Sequence, residues 1–333
     1  MKANVYEQYG GPEVLQFKEV AKPIPADNEV LIRVYATTVN SGDWRARSLE
    51  LGGFSPLGWL VFGFFKPRNK ILGTELSGEI EAIGKNVTKF EVGELVYGFP
   101  GMGSGCHAEY VTMSEDGVIA HKPSSLSFEE AAAISFGGIT ALEFLERMGK
   151  IQPGEKVLIN GASGAVGLAA VQLAKHFGAE VTGVCSTANL DLVRSVGADK
   201  VIDYTCKDFS RNGETYDIIV DAAGTAPWSI SHNSLNQSGR LLLVNGLVRD
   251  MVRAAFQGKK ATKRIVAGTG GGTAEQLRFL NKLIEAGKYR PIIDRAYPFE
   301  KIAEAHAYVD SGRKKGSVAI TIAQQRQLVS GVA

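Results

Sequence analysis

Val157-Leu158-Ile159-Asn160-Gly161-Ala162-Ser163-Gly164-Ala165-Val166-Gly167 is the stretch that decides the fold. Val157, Leu158 and Ile159 read as a buried strand that runs into glycines and then into a helix. Gly161, Gly164 and Gly167 give GxxGxxG, a shifted relative of the GxGxxG fingerprint. A turn built from them lets the backbone approach a pyrophosphate, whose charge then sits against the unpaired N–H groups and positive end of the helix. Glycines at this spacing also let a helix and a strand pack closely. Weight comes from context: a strand before, a helix after, and a second strand ending about 20 residues on. The whole run Gly161, Ala162, Ser163, Gly164, Ala165, Val166 and Gly167 is therefore the candidate phosphate loop.

Outward from this loop the pattern alternates. Strands over 156–160, 180–185, 200–202, 216–221 and 240–244 are interspersed with helices over 165–177 and 190–196, which predicts a parallel sheet covered on both faces. A basic stretch, 249–264, and a glycine run, 268–272, precede a helix over 274–286. Upstream, short β-rich runs at 30–35, 76–83, 94–98 and 107–112 predict a small barrel-like β domain. Ser127-Phe128-Glu129-Glu130 reads as a capping box that opens one long helix to about Met148. The tail, 299–322, reads as one helix and a closing strand that returns to the first domain. The expected architecture is α/β: a doubly wound parallel sheet over 126–289, and a β-barrel domain over 1–125 completed by 290–333.

A chain of 333 residues suits about two domains. With 44% hydrophobic and 22% charged residues it is neither a long disordered chain nor a fibre. Thirty-seven basic against 35 acidic residues leave +2, too balanced to gather polyanions, so no nucleic-acid partner is expected. Cys106, Cys185 and Cys206 form neither a disulfide framework nor a zinc spacing. A reducing compartment fits, and with no signal-like apolar core after Met1 the expected location is the cytoplasm. The apolar stretch 51–65 is broken by glycines and proline and falls short of the ~20 residues of a spanning helix, so no membrane element is expected. The basic run 259–264 reads as a solvated helix face.

The identity of the dinucleotide is read at the end of the second strand, where NAD-binding proteins carry a carboxylate for the adenosine ribose. Here the sequence is Val184-Cys185-Ser186-Thr187-Ala188-Asn189, with no carboxylate between Glu180 and Asp191. Hydroxyls and an amide at Ser186, Thr187 and Asn189 can donate to a 2′-phosphate, which points to NADPH. Lys200 and Tyr204 would add a charge and a flat stacking surface. The same three polar residues equally suit a cap on the following helix.

Gly73-Thr74-Glu75 with Leu76-Ser77-Gly78, Ala108-Glu109-Tyr110, Gly138-Ile139-Thr140-Ala141, the phosphate loop, Gly197-Ala198-Asp199 with Val201-Ile202-Asp203-Tyr204, and the segments 221–224 and 298–307 occur in this order. Together they resemble the medium-chain dehydrogenase/reductase superfamily, and within it the zinc-free quinone oxidoreductase branch, over almost the whole chain. The resemblance implies a GroES-like catalytic domain, an inserted Rossmann domain, a cleft between them, NADPH as cofactor, and a homodimer through the Rossmann sheet edge. Metal-dependent alcohol dehydrogenases of the superfamily place Cys or His in the segment that reads Val39-Asn40-Ser41-Gly42-Asp43, and His where Thr74 stands. They also carry a four-cysteine lobe near 86–105. Those thiols and imidazoles are missing, so no metal is expected, and Asp43 and Glu75 are left to hydrogen bonds or packing.

Without a Lewis acid a simple ketone is hard to reduce, whereas a quinone or α,β-unsaturated ketone delocalises the anion that hydride creates. The resemblance places Asn40 beside the nicotinamide ribose and substrate, where it would donate to the developing oxyanion; the alternative is an Asn that satisfies a turn. It places Thr140 beside nicotinamide and phosphates, and Asn245-Gly246 with the 268–272 run over the nicotinamide half. Where the family often has Gly-Lys before the last strand, this chain reads Lys314-Lys315-Gly316-Ser317, so either Lys315 supplies the cation or that contact is missing. His107 reads as structural. The aromatic-rich segment 51–65, with Trp59 and Phe62, either covers an apolar substrate or packs on a partner subunit. The expected activity is NADPH-dependent reduction of quinones or enones; a non-catalytic NADPH-binding protein on the same fold is the competing reading.

Overall fold

The computed structural model describes residues 1–49, 63, 65–246, 248–258, 261–268 and 271–322. The expected substrate flap, with Trp59 and Phe62, lies outside these residues.

The chain opens with a short antiparallel pair, β1 (Lys2–Val5) and β2 (Gln16–Glu19). β3 (Glu29–Val39) is the longest strand and nearly all of it is buried, because it has neighbours on both edges and elements over both faces. It pairs antiparallel with β4 (Leu76–Ile83), which leads to β5 (Leu95–Gly98), and with β6 (Tyr110–Ser114); β7 (Ile119–His121) pairs with β5. Val30, Ile32, Val34, Leu76, Ile80, Val96, Met113 and Ile119 fill the interior of this sheet.

Among the described residues, six parallel strands form the second sheet: β8 (Lys156–Asn160), β9 (Glu180–Cys185), β10 (Lys200–Asp203), β11 (Tyr216–Asp221), β12 (Leu235–Leu243) and β13 (Arg264–Ala267). Val157 and Ile159 point into a core shared with Ile139, Leu142, Val171 and Leu280, while Leu158 points into one shared with Ile219, Leu241 and Ile265. Successive residues therefore bury opposite faces of the pleat, which is why these strands read as unbroken apolar runs. The strand order is β10-β9-β8-β11-β12-β13. The chain winds outward from β8, returns to β11 beside it and winds out the other way, so the order reverses between β8 and β11. A crevice opens at such a reversal, at the carboxyl ends of the strands.

After β13 the chain forms the helix Ala274–Glu285 and then rejoins the first sheet. β14 (Ile293–Pro298) pairs with β15 (Ser317–Thr321), and β15 lies antiparallel to β3, Val318 opposite Val39.

Three expectations need correction. The capping box is real: Ser127 Oγ accepts from Glu130 N–H at 3.1 Å and the Glu130 carboxylate accepts from Ser127 N–H at 2.9 Å. The helix it opens is not continuous, however. It ends at Ala132, restarts as Ser135–Leu142 and finishes in a π-helical turn, Glu143–Met148, where Gly149 N–H bonds Phe144 O five residues back. β13 begins at Arg264, the last residue of the stretch read as basic, and β14 ends just before the tail; neither is among the expected strands. Both are edge strands with mixed exposure, and such strands lack a continuous apolar signature.

Candidate active site

The glycine loop lies at the reversal point. Gly161 adopts φ +79, and the N–H groups of Gly161 and Ala162 both donate to Val184 O, at 3.1 and 2.9 Å, which pins the loop to the end of β9. A Cβ at Gly161 would stand 2.9 Å from Ala223 Cβ, and one at Gly167 would collide with the Gly161 carbonyl, so both positions need glycine for packing. Gly164 is different. A Cβ there meets no protein atom nearer than Gly161 O at 3.6 Å, and the helix that follows, Ala165–His176, has no side-chain cap. Its first-turn N–H groups have no intrahelical acceptor and lie at the positive helix end, with the tail alongside through the parallel bridge of Gly164 to Gly316. Ala162 and Val166 are buried and contribute packing.

Beside the loop, Asn160 Nδ2 donates to Asp221 Oδ1 and to Thr225 Oγ1, both at 2.8 Å. The Asp221 carboxylate also accepts from the N–H groups of Gly224 and Ala226, each at 2.9 Å. Burial raises its pKa, and these donors oppose that rise. The loop they shape brings Ala223 against Gly161 and Gly224 against Asn245, whose Nδ2 donates to Ala223 O at 3.4 Å. Asn245 and Gly246 thus stand at the carboxyl end of β12, in the same crevice. Thr140 is half-buried on the helix Ser135–Leu142.

At the end of β9, Asn189 Nδ2 donates to Ser163 Oγ at 3.0 Å and Ser186 Oγ at 3.2 Å, while Asn189 Oδ1 is buried without a protein partner. Ser186 and Asn189 are thereby joined to the phosphate loop. Thr187 is exposed and donates to Asp203 Oδ2 at 2.5 Å. Tyr204 is mostly exposed, and its N–H bonds Cys185 O at 3.1 Å. Lys200 does not join this group. It opens β10 opposite Thr182, about 10 Å of strand below Asp203, and pairs with Glu180 at 2.8 Å. Its place in the sequence resembles that of a ligand, but the strand carries it to the wrong end of the sheet.

Across the crevice, Asn40 closes β3 and caps the helix Ser41–Ser48. Its Oδ1 accepts from Gly42 N–H at 2.9 Å and Asp43 N–H at 3.3 Å, and its Nδ2 donates to Thr74 Oγ1 at 2.7 Å. Asn40 is 2% exposed and Thr74 is half-buried. A hydroxyl that accepts one hydrogen bond still has its own hydrogen to give. Asn40 thus caps a helix through its oxygen, while its Nδ2 keeps a second hydrogen and the Thr74 hydroxyl keeps its own, so either can donate. In the sequence Thr74 stands out only within Gly73-Thr74-Glu75 and as the residue at a position where metal-dependent relatives carry histidine.

Three buried groups hold this pair. Asp43 accepts from Asn40 N–H at 2.9 Å and Gly73 N–H at 3.0 Å, so it fixes both segments; burial raises its pKa. Glu75 accepts from the Thr38 hydroxyl and, at 2.6 Å, from Phe136 N–H, and burial pushes it up to about 7. His107 Nε2 bonds Thr38 O at 2.9 Å, and desolvation keeps its pKa below the ordinary value. The tail reaches the same crevice: Gly316 N–H donates to Ser163 O at 2.8 Å, and Lys314 Nζ donates to Gly316 O at 2.7 Å. Burial pushes Lys314 down to about 8, opposed by the charge of Glu75. Lys315 gives its backbone N–H to Asp294, at 2.9 Å. Among the described residues, no three His, Cys, Asp or Glu side chains are arranged to hold a metal ion.

A helix N-terminus without a side-chain cap and a glycine facing empty space at a sheet reversal point fit the pyrophosphate of a dinucleotide. Residues 26–124 match the alcohol dehydrogenase GroES-like domain, and 196–320 match the zinc-binding dehydrogenase family. The chloroplastic quinone-oxidoreductase QR1 of Triphysaria versicolor is 33% identical over 332 residues, covering 96% of this chain and 98% of that protein. The 2-methylene-furan-3-one reductase of Solanum lycopersicum is 33% identical, covering 96% and 79%. The solved quinone oxidoreductase of Coxiella burnetii superposes with a TM-score of 0.85 at 28% identity, over 97% of this chain and 99% of that one. Relatives named NAD(P)H oxidoreductases, such as the mitochondrial protein of Mus musculus at 31% identity over 97% of this chain, agree with a nicotinamide cofactor and a small-molecule substrate. The chain belongs to the medium-chain dehydrogenase/reductase superfamily, in its quinone oxidoreductase branch.

Proposed function

We propose that this chain reduces quinones or α,β-unsaturated carbonyl compounds with NADPH, without a metal ion. The observation that carries the reading is the Asn40–Thr74 pair, a hydroxyl held by an amide in the place where metal-dependent members of the superfamily bear a ligand. In this reading residues 126–289 bind the cofactor, and 1–125 with 290–333 bind the substrate. The first-turn N–H groups of the helix Ala165–His176 hold the pyrophosphate, and the Ser186 hydroxyl, which accepts from Asn189 and keeps its own hydrogen, donates toward the adenosine 2′-phosphate. Nicotinamide, when bound, supplies the hydride. As the substrate carbonyl oxygen takes on negative charge, the Thr74 hydroxyl donates to it, and Asn40 and Asp43 keep that hydroxyl in place. Glu75 and His107 hold the supporting backbone and take no part in proton transfer.

The names of the two plant relatives support both halves of this substrate class, one a quinone oxidoreductase and one a reductase of an enone. β13 ends the parallel sheet, and its outer edge suits pairing with the same strand of a second copy, so the proposed assembly is a homodimer. The free cysteines, with Cys206 exposed, are what support the proposed cytoplasmic location.

The test is loss of NADPH absorbance with a panel of quinones, enones, simple ketones and alcohols, alongside metal analysis of the purified protein. Turnover confined to quinones and enones, unchanged by chelator, is expected. Stoichiometric zinc, or NADPH binding without turnover of any acceptor, would overturn the reading.

A further inference from the structure

The rule that reads NAD or NADP from a sequence looks along one strand, the second of the sheet, for a carboxylate at its end. β9 has none, yet the structure brings one to the same corner from the neighbouring strand. β10 runs parallel to β9 with Asp203 opposite Cys185, the last residue of each strand. The two tips are tied twice: Tyr204 N–H bonds Cys185 O at 3.1 Å, and Thr187 Oγ1 donates to Asp203 Oδ2 at 2.5 Å. From its other side, Asp203 Oδ1 accepts from Thr205 N–H at 2.9 Å and Thr205 Oγ1 at 2.7 Å. The Thr205 contacts are those of an ordinary Asp-initiated turn, but the turn does not need Thr187, which crosses from the β9 side.

An ionised carboxylate offers about four acceptor positions. Three are taken by these contacts, and Cys206 Sγ lies at 3.9 Å from Oδ2, too long to fill the fourth strongly. Asp203 is half-buried, and hydrogen bonds from Thr187 and Thr205 hold its carboxyl below the usual carboxylate range. It therefore carries a full charge at neutral pH, one residue's reach from Ser186.

Resting on the reading that the glycine loop holds a nicotinamide dinucleotide, we propose that Asp203 is a specificity-determining residue for the adenosine 2′ position. Its carboxylate accepts a hydrogen bond from a ribose 2′-hydroxyl and repels a 2′-phosphate. The Ser186 hydroxyl, oriented by Asn189, pulls the other way, so the preference for NADPH is narrower than Ser186 alone would set, and NADH remains a competent ligand.

Asp203→Asn keeps an oxygen for Thr205 N–H and turns an amide N–H toward Thr187 Oγ1, which can accept it, while removing the charge; Asp203→Ser removes the charge and keeps one acceptor for Thr205 N–H. Equilibrium binding to the unmodified protein and both variants is measured by titration calorimetry with NADPH and NADH, and with the fragments 2′,5′-ADP and 5′-AMP, which lack nicotinamide. Either substitution should raise the ratio of NADH to NADPH dissociation constants by about tenfold, as expected for removing one charge near a phosphate at a half-exposed site. The fragments should shift alike, and the shift should shrink at about 0.5 M salt. Melting temperatures of the variants show whether the turn survives. Binding of both dinucleotides with a ratio unchanged to within about twofold in a folded variant overturns this inference and leaves the cofactor reading standing. Failure of the unmodified protein to bind either dinucleotide overturns both.

Discussion

Asn40 Nδ2 stands 2.7 Å from Thr74 Oγ1, a single hydrogen bond that joins the end of β3 to the residue two before β4. Asn40 spends its oxygen on the two N–H groups that open its own helix, so its amide is fixed in orientation before it meets Thr74. The hydroxyl beyond it inherits that orientation. A donor held this way needs no reorganisation when charge develops opposite it, which is the property that makes such donors effective.

Thr74→Val keeps the shape of the side chain and removes the hydroxyl. It should lower kcat for a quinone or enone by about 10²-fold, the size seen when one oxyanion donor is removed. Binding of NADPH should stay within about twofold. Thr74→Ser should restore most of the rate, and steady-state kinetics on the three proteins decide the matter. A Val variant as fast as the parent would place the donor elsewhere.

Gly164 and Gly167 should respond in opposite ways. Gly164→Val adds atoms to the empty space at the uncapped helix end, so the melting temperature should hardly move while the dissociation constants of NADPH and NADH rise at least about tenfold. Gly167→Ala drives a methyl group into the Gly161 carbonyl and should destabilise the fold by roughly 2–4 kcal/mol. Thermal melts with calorimetric titration separate the two effects.

Glu75 predicts a pH dependence of stability. Its folded pKa of about 7 lies above the ordinary carboxylate value, so the native state holds this proton more tightly than the unfolded chain does. Its contribution is complete below about pH 4.5 and is lost as the pH rises through 7. Glu75→Gln imitates the protonated form, with an oxygen for Phe136 N–H and an amide for the Thr38 hydroxyl. Relative to the parent it should gain roughly 1–3 kcal/mol at pH 8 and nothing at pH 4.5. Urea unfolding at the two pH values measures the difference, and a gain equal at both would show that folding does not raise the pKa of Glu75.

Arg47 is wholly buried, with Nη2 on Asp310 at 2.5 Å and Nε on Gly10 O at 3.1 Å. The pair clamps the helix that Asn40 caps against the helix Ile302–Asp310. Arg47→Ala leaves Asp310 without its counter-charge and a large void behind it, and should cost about 3–5 kcal/mol in chemical denaturation. A loss below 1 kcal/mol would mean that water replaces the guanidinium at little cost.

Sequence and structure agree most closely where the signal is local. The glycine loop, the capping box at Ser127 and the long apolar strands each carry their information within a dozen residues, and each folds as read. Lys200 and Asp203 mark the limit. They differ by three positions, and only the pairing of β10 with β9 shows that one belongs to the cofactor corner and the other to the opposite rim. Thr74 was hidden for a related reason: its hydroxyl matters because Asn40, 34 residues earlier, donates to it. β13 and β14 escaped because edge strands bury only one side and need no continuous apolar run. Lys314 was passed over for its neighbour Lys315, since a linear string does not say which of two adjacent lysines turns inward.

β15 sets an order on the life of the chain as it is made. The parallel sheet is continuous in sequence from residue 156 to 267 and can assemble while the tail is still inside the ribosome. The sheet begun by β3 cannot: its partner on one edge is Val318–Thr321, nearly three hundred residues away, and the same tail supplies the Gly316 N–H that grips Ser163. Until those last strands emerge, the end of β3 that β15 covers, Ala36–Val39, presents an open edge to any neighbouring chain, an arrangement prone to mispairing. The final twenty-odd residues of the described chain thus finish the barrel and fasten the phosphate loop in one event, and a ribosome that stops short of them leaves a nascent protein with neither half of its cleft complete.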